Sequence, residues 1–325
     1  MRLATLDDTR GGSPAVQLSS GEFLNLRRAA RPDTLERWIP DTVLDILAAG
    51  DAALAVLRDL VAHIEGLGVK ERTVLRDTGA IRASDALLLA PIPRPGMILA
   101  AGLAYRSHLA EMSGTPVPQR PTAFMKSPGS VCAPGAGITL PGQAADHVDY
   151  EGELALVFGR TCHNVAPEDA MACIAGFTVA NDLSARDWVE AVWAATQPWE
   201  ARQTWEVNIM GKQMPDFTPL GPVITTRDEI PDPGLMRLQT RLNDRIMQDA
   251  LVSDMIFSLP EVVSYFSRWY RFMPGDILLT GTPAGVGAGR KPPVFLRPGD
   301  RVEVEITGIG VLASTFHGHA QTPAM

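Results

Sequence analysis

Asp149-Tyr150-Glu151-Gly152-Glu153-Leu154-Ala155-Leu156-Val157-Phe158 joins two carboxylates to an uninterrupted apolar run. Residues i and i+2 of a β-strand face the same side, so a strand over Tyr150–Gly159 projects Glu151 and Glu153 together. The apolar continuation makes this a core strand and not a solvated rim. Two carboxylates side by side at the edge of a buried strand repel each other and lose hydration, so they need a cation or a shared proton. Oxygen-only ligands suit Mg2+, Mn2+ or Ca2+ and disfavour zinc. A pair of exposed glutamates on a polar face satisfies the same spacing, so the reading needs support from elsewhere in the chain.

Working outward, short elements are predicted on both sides. Met97–Leu103 reads as a buried strand and His108–Met112 as the start of a helix. Pro167–Ile174 reads as a short helix, Gly176–Ala180 as a strand and Pro260–Trp269 as a helix. Leu235–Asn243 puts Met236, Leu238, Thr240 and Leu242 on one face of a strand, and Asp276–Thr280 and Arg301–Ile306 are further strands. Strands do not alternate regularly with long helices, which disfavours a doubly wound parallel sheet and predicts an α+β domain built as a mixed β-roll or β-sandwich with short helices. The first ninety residues differ: small strands broken by Gly11-Gly12 and Gly21, then two helices over Thr42–Ala49 and Ala52–Ile64. Three prolines in Ala90–Gly96 mark the expected boundary between a small α+β N-terminal domain, 1–90, and a catalytic domain, 91–325.

The 325 residues carry 29 Lys+Arg against 37 Asp+Glu, a formal charge of −8. With no basic run, nucleic acid and anionic membranes are excluded as expected partners. Hydrophobic residues make up 46%, enough for a sizeable core. Cys132, Cys162 and Cys173 are odd in number and lack C-x-x-C spacing, so idle thiols in a reducing compartment are expected in place of a disulfide frame. The first ten residues lack an apolar signal core and no apolar run is long enough to span a bilayer, which makes the cytoplasm the expected location.

Three further stretches carry polar chemistry. Asn181-Asp182-Leu183-Ser184-Ala185-Arg186-Asp187 follows an apolar strand, and Asp182 at its end can supply a third carboxylate. An Asx turn with Arg186–Asp187 as a surface pair fits equally well. Gly281-Thr282-Pro283-Ala284-Gly285-Val286-Gly287 lets backbone amides near Gly281 and Thr282 approach an anion. It is no nucleotide loop, because Gly-Lys-Ser/Thr is absent and Arg290 stands where G-x-G-x-x-G needs its last glycine; an ordinary turn is the alternative. In Tyr105-Arg106-Ser107-His108-Leu109-Ala110-Glu111, helical spacing puts His108 and Glu111 on one face, where the carboxylate can orient the imidazole. His317-Gly318-His319 reads as a frayed strand end.

The segments 149–155, 180–187, 253–258 (Ser-Asp-Met-Ile-Phe-Ser) and 274–287 (Pro-Gly-Asp-Ile-Leu-Leu-Thr-Gly-Thr-Pro-Ala-Gly-Val-Gly), in this order, resemble the fumarylacetoacetate hydrolase superfamily from about Pro95 to Phe316. The resemblance implies that Glu151, Glu153 and Asp182 hold a divalent metal, Mg2+ or Mn2+, with Ca2+ as a substitute in vitro. It implies that His108 and Glu111 form the dyad of a short mobile helix, that Lys212 is the active-site lysine, and that Thr282 receives the substrate carboxylate. A rival alignment through Pro198-Trp199 would put Gln203 at the lysine position. Ala101-Gly102 stands where animal fumarylacetoacetases carry a fourth acid, which points to the acylpyruvate-type branch. The longer segment Trp193–Met210 is expected to bring Trp193, Trp199 and Trp205 near the pocket.

The resemblance then implies a metal-dependent hydrolase that cleaves a C–C bond of a 2,4-dioxo acid, in which His108 deprotonates the attacking water and Lys212 stabilises the oxyanion or protonates the leaving carbon. An isomerase or decarboxylase of a 2-oxo or 2-hydroxy-dienoate diacid in aromatic catabolism uses the same site, and a non-catalytic cation-binding module is a further alternative. The expected partners are a small 2-oxo acid and a second copy of the chain in a homodimer.

Overall fold

The structure, a computed structural model of the chain, describes residues 1–29, 40–112, 115–142, 146–187 and 189–318. The acidic strand, Gly152–Phe158, is buried along its whole length inside a twelve-stranded sheet. It pairs antiparallel with Ile174–Asn181 on one side and with Ile277–Leu279 on the other. Ile277–Leu279 pairs parallel with Ile98–Gly102, which pairs with Thr122–Lys126. The apolar run of the acidic strand follows from this place: a strand covered on both faces needs apolar side chains in both directions.

A second sheet of five strands runs in the spatial order Arg245–Leu251, Arg237–Leu242, Arg301–Ile306, Gly310–His317 and Gly137–Thr139. Here the period of two is clean, with Leu238, Thr240 and Leu242 turned inward. The two sheets meet closely at Gly152, where an added Cβ would lie 2.3 Å from Thr240 Oγ1 and 2.9 Å from Val304 Cγ1. Together with a few short helices this is the expected α+β fold. The predicted strands and helices of the 97–306 region are present within a few residues of their expected ends.

In the first ninety residues, Arg2–Leu6 pairs with Thr218–Thr226, so one sheet runs through both parts of the chain. The two expected helices form one element, Val43–Gly66, broken at Gly50 with φ 73°. Thr42 caps it by accepting the Asp45 amide at 3.0 Å. Its buried Val43, Ile46, Leu54 and Leu57 pack in one cluster with Leu3, Val16, Val157 and Ile224. A further helix, Val69–Asp77, was not expected, since it buries no residue and so shows no apolar stripe. The Glu22 carboxylate receives Arg76 at 2.7 and 2.9 Å and lies 3.6 Å from Arg72, which fastens this helix to the sheet hairpin. All three cysteines are free and buried, and burial pushes the Cys132 thiol up to about 12. No described helix is long and apolar enough to cross a membrane.

Candidate active site

The antiparallel register sets Gly152 opposite Asn181, so the acids before and within one strand meet the acid that ends the next. Two bonds fix this corner: the Asp182 amide donates to Glu151 O at 2.8 Å, and the Glu151 amide donates to Asn181 Oδ1 at 2.9 Å. Glu151, Glu153 and Asp182 each offer a carboxylate oxygen within 4.8 Å of the others, and all three are buried. Among the described residues this is the one such cluster of potential metal ligands. Burial, reinforced by the charges of Asp182 and Glu151, pushes the Glu153 carboxyl well above the usual range, while the Gly281 amide donates to its Oε2 at 2.7 Å. Three crowded carboxylates, one of which resists ionisation until positive charge arrives, suit a hard divalent cation.

Cations of the protein already line the cluster. Lys212 Nζ donates to Glu151 Oε2 at 2.6 Å, Asp182 Oδ2 at 2.7 Å and Ser184 Oγ at 2.6 Å. It lies 5.2 Å from the centre of the Phe124 ring. Burial works against ionised Glu151, but Lys212 and Arg186 outweigh it and hold that carboxyl far below its ordinary value. Lys212, not Gln203, therefore stands at the acids, and Gln203 is exposed on the helix Pro198–Met210.

Two basic residues at the site were not anticipated. Lys126 is fully buried; its Nζ donates to Asp182 Oδ1, to Lys212 O at 2.6 Å and to Phe217 O at 3.2 Å. Burial lowers its pKa, and Lys212 adds to this while Asp182 opposes it. In the sequence it looks like a lysine closing a strand before Ser-Pro-Gly; the only hint is that it shares a face with Phe124. Arg186, read as half of a possible surface pair, is instead turned inward. It donates to Asp149 Oδ2 at 3.1 Å and to Glu151 Oε1 at 2.5 Å. Its neighbour Asp187 does lie outward, 3.0 Å from His147 Nδ1.

The helix Arg106–Glu111 carries the dyad, with His108 Nδ1 and Glu111 Oε2 3.2 Å apart. The imidazole is buried and close enough to Glu151 for its charge to lower that carboxyl. The Gly285 amide donates to Glu111 Oε1 at 3.1 Å, which docks the helix on the glycine-rich segment. The Ser253–Ser258 motif, quoted above without a role, anchors the helix start. Asp254 Oδ2 accepts the Ser107 amide at 3.1 Å, and Arg106 reaches the carbonyls of Asp254, Met255 and Ile256.

The Thr282 hydroxyl is already engaged. It donates to Gly152 O at 2.9 Å and accepts Gln248 Nε2 at 2.7 Å. Buried Gln248 also accepts the Gly152 amide at 2.9 Å, so it ties the glycine-rich segment to the acidic strand. The expected pocket tryptophans are not gathered at the acids: Trp199 and Trp205 are 64% and 50% exposed, and the Trp193 side chain lies outside the described residues. His317 ends its strand exposed, and His319 lies outside the described residues.

The chain is similar to proteins already known. The mitochondrial oxaloacetate tautomerase FAHD2A of Bos taurus is 35% identical over 312 residues, covering 96% of this chain and 90% of that one. The oxaloacetate tautomerase YisK of Bacillus subtilis is 33% identical over 297 residues, 90% of this chain and 92% of that one. Among solved structures, a fumarylacetoacetate hydrolase from Exiguobacterium antarcticum superposes with a TM-score of 0.74 at 28% identity, covering 98% of this chain and all of that one. The family model described as fumarylacetoacetate hydrolase, C-terminal, matches residues 97–317. With that match spanning more than half of its length, and a relative 35% identical over nearly the whole chain, the chain belongs to the fumarylacetoacetate hydrolase family.

Proposed function

We propose that the protein is a divalent-metal-dependent enzyme acting on a small enolisable 2-oxo acid, with keto–enol tautomerisation of an oxaloacetate-like diacid as its reaction. The observation that carries it is the buried Glu151–Glu153–Asp182 cluster bonded to Lys212, with His108 of the His108–Glu111 pair close enough to act on Glu151. Relatives over nearly the whole chain that bear the name oxaloacetate tautomerase support this choice of reaction.

Glu151, Glu153 and Asp182 would hold Mg2+ or Mn2+, which supplies Lewis-acid polarisation of the 2-oxo oxygen. The protein's own groups do the rest. Glu111 orients the imidazole, so His108 can exchange a proton at the carbon next to the 2-oxo group. Lys212 keeps Glu151 ionised and adds positive charge where the enolate oxygen develops. Tautomerisation is balanced by this alone: one proton leaves the enol oxygen and one reaches carbon.

Hydrolysis of a 2,4-dioxo acid is the second reading, favoured by the same dyad, since a buried imidazole backed by a carboxylate also suits water activation. One experiment separates them. Metal-stripped protein, with and without Mg2+ or Mn2+, is given enol-oxaloacetate and a panel of acylpyruvates while the enol absorbance is followed and products are identified. Metal-dependent decay to the keto acid with no cleavage, abolished in Glu153→Ala, supports tautomerisation. Release of pyruvate and a carboxylic acid moves the assignment to hydrolysis, and no change on any substrate defeats both.

A further inference from the structure

Gly289 lies in the short turn Gly287–Gly289, just beyond the glycines that the family motif contains. Its backbone does not call for glycine, since its φ lies outside the left-handed region, unlike Gly281 at +86° and Gly285 at +102°. Space does. A Cβ at residue 289 would fall 2.2 Å from Glu111 Cδ, 2.3 Å from its Oε1 and 2.6 Å from its Cγ. The Glu111 carboxylate occupies the place a side chain at 289 would fill.

The turn has little freedom to retreat. Buried Asp149 accepts the Gly287 amide at 2.7 Å on Oδ1 and the Ala288 amide at 3.0 Å on Oδ2. Arg186 fixes Asp149 in turn, and the Val294 amide donates to Gly287 O at 3.0 Å. Of the two sides of this contact, the far end of Glu111 is the one that can move.

We propose that Gly289 is a positioning residue for the proton-transfer dyad: the missing side chain is the seat of the Glu111 carboxylate, and through it of His108. The proposal deepens the role given to the dyad above and rests on it for the activity readout. A methyl group at 289 evicts Glu111 from the Gly285 amide and from His108 while leaving the metal cluster, Lys212 and the fold in place.

The test compares Gly289→Ala, Glu111→Ala and the double variant in the full-length protein. In Gly289→Ala, kcat falls roughly tenfold to hundredfold, toward the value of Glu111→Ala, with KM little changed and Mn2+ affinity by calorimetry unaltered. The limb of the kcat–pH profile that reports His108 shifts alike in both single variants. The double variant equals Glu111→Ala, because the three atoms nearest the methyl group all belong to the side chain that variant removes. Hydrogen exchange of residues 106–111 gives a readout free of substrate: faster in both single variants, and no faster again in the double. Wild-type kcat together with wild-type exchange in Gly289→Ala, or additive losses in the double variant, overturns the proposal. If Glu111→Ala keeps full turnover, the dyad's catalytic role fails instead, and exchange alone decides whether Gly289 is the seat. A lowered melting temperature shared by Gly289→Ala and the double variant but absent from Glu111→Ala would mark a general packing defect and also overturn it.

Discussion

The acids and the dyad face one site, yet they are held by different means. Glu153 stands on one of two adjacent strands, Glu151 just before it and Asp182 just after the other, and backbone pairing fixes their separation. His108 and Glu111 stand on a six-residue helix with no strand of its own, docked through Asp254, Arg106 and the Gly285 amide. Sheet pairing makes a rigid corner of the acids, while a helix held by latches between side chain and backbone has fewer bonds to lose.

The sharpest break of this comparison uses one acid and one dyad residue. Asp182→Ala is expected to lose both Mn2+ binding by calorimetry and turnover, the latter by roughly a thousandfold or more. His108→Ala should lower kcat by about a hundredfold with Mn2+ affinity unchanged. A loss of affinity in His108→Ala would show that the two regions are one unit.

Next in size is the support beneath the acids. Lys126→Met removes the buried partner of Asp182 and should cost about 3 kcal/mol of stability, read as a lower denaturant midpoint. Added Mn2+ should restore part of it by supplying charge to the same carboxylates. Smaller again is Asp254→Ala, which uncaps the dyad helix. About 1 kcal/mol, or a factor of roughly five in the docked population, should appear as faster hydrogen exchange at 106–111 with metal affinity intact.

The smallest effect lies far from the site. Arg76 bonds to the Glu22 carboxylate and, despite partial burial, holds its pKa at about 2 against an ordinary 4.5. A depressed carboxyl stabilises the fold above its unfolded value, and that stability is lost as pH falls from 4.5 toward 2. Glu22→Gln should therefore melt a little lower than wild type at pH 6, and the two curves should converge near pH 2. Neither metal affinity nor kcat should change.

How much of this could be read beforehand depends on the local signal. The pair Glu151 and Glu153 was legible as two acids on one face beside a buried run, and the other motifs of the chain were needed to set them apart from exposed glutamates. Two strands of the second sheet, Arg237–Leu242 and Arg301–Ile306, were legible for the same reason, each burying one face only, whereas Arg245–Leu251, whose burial does not alternate, was not. Lys126 and Arg186 were not, since a lone lysine or arginine at an element's end is ordinarily solvated, and only the folded contacts with Asp182, Asp149 and Glu151 bury the first and turn the second inward. The structure sets Thr282 against the acidic strand, but its hydroxyl bonds depend on Gln248, thirty-four residues away in the second sheet. Gly289 showed nothing in one dimension, because its meaning is the space it leaves for a residue 178 positions earlier.

Register has a consequence for how such a chain can change over generations. The spacing of the acids comes from a ladder in which Gly152 faces Asn181 and Glu153 faces Ala180. Losing a single residue between 152 and 181 on either strand would turn every later side chain to the opposite face and part the acids. The loop between the strands, from 159 to 173, carries no such constraint. Length can therefore drift in the loops and in the segment leading to Lys212, while the two strands must be inherited residue for residue.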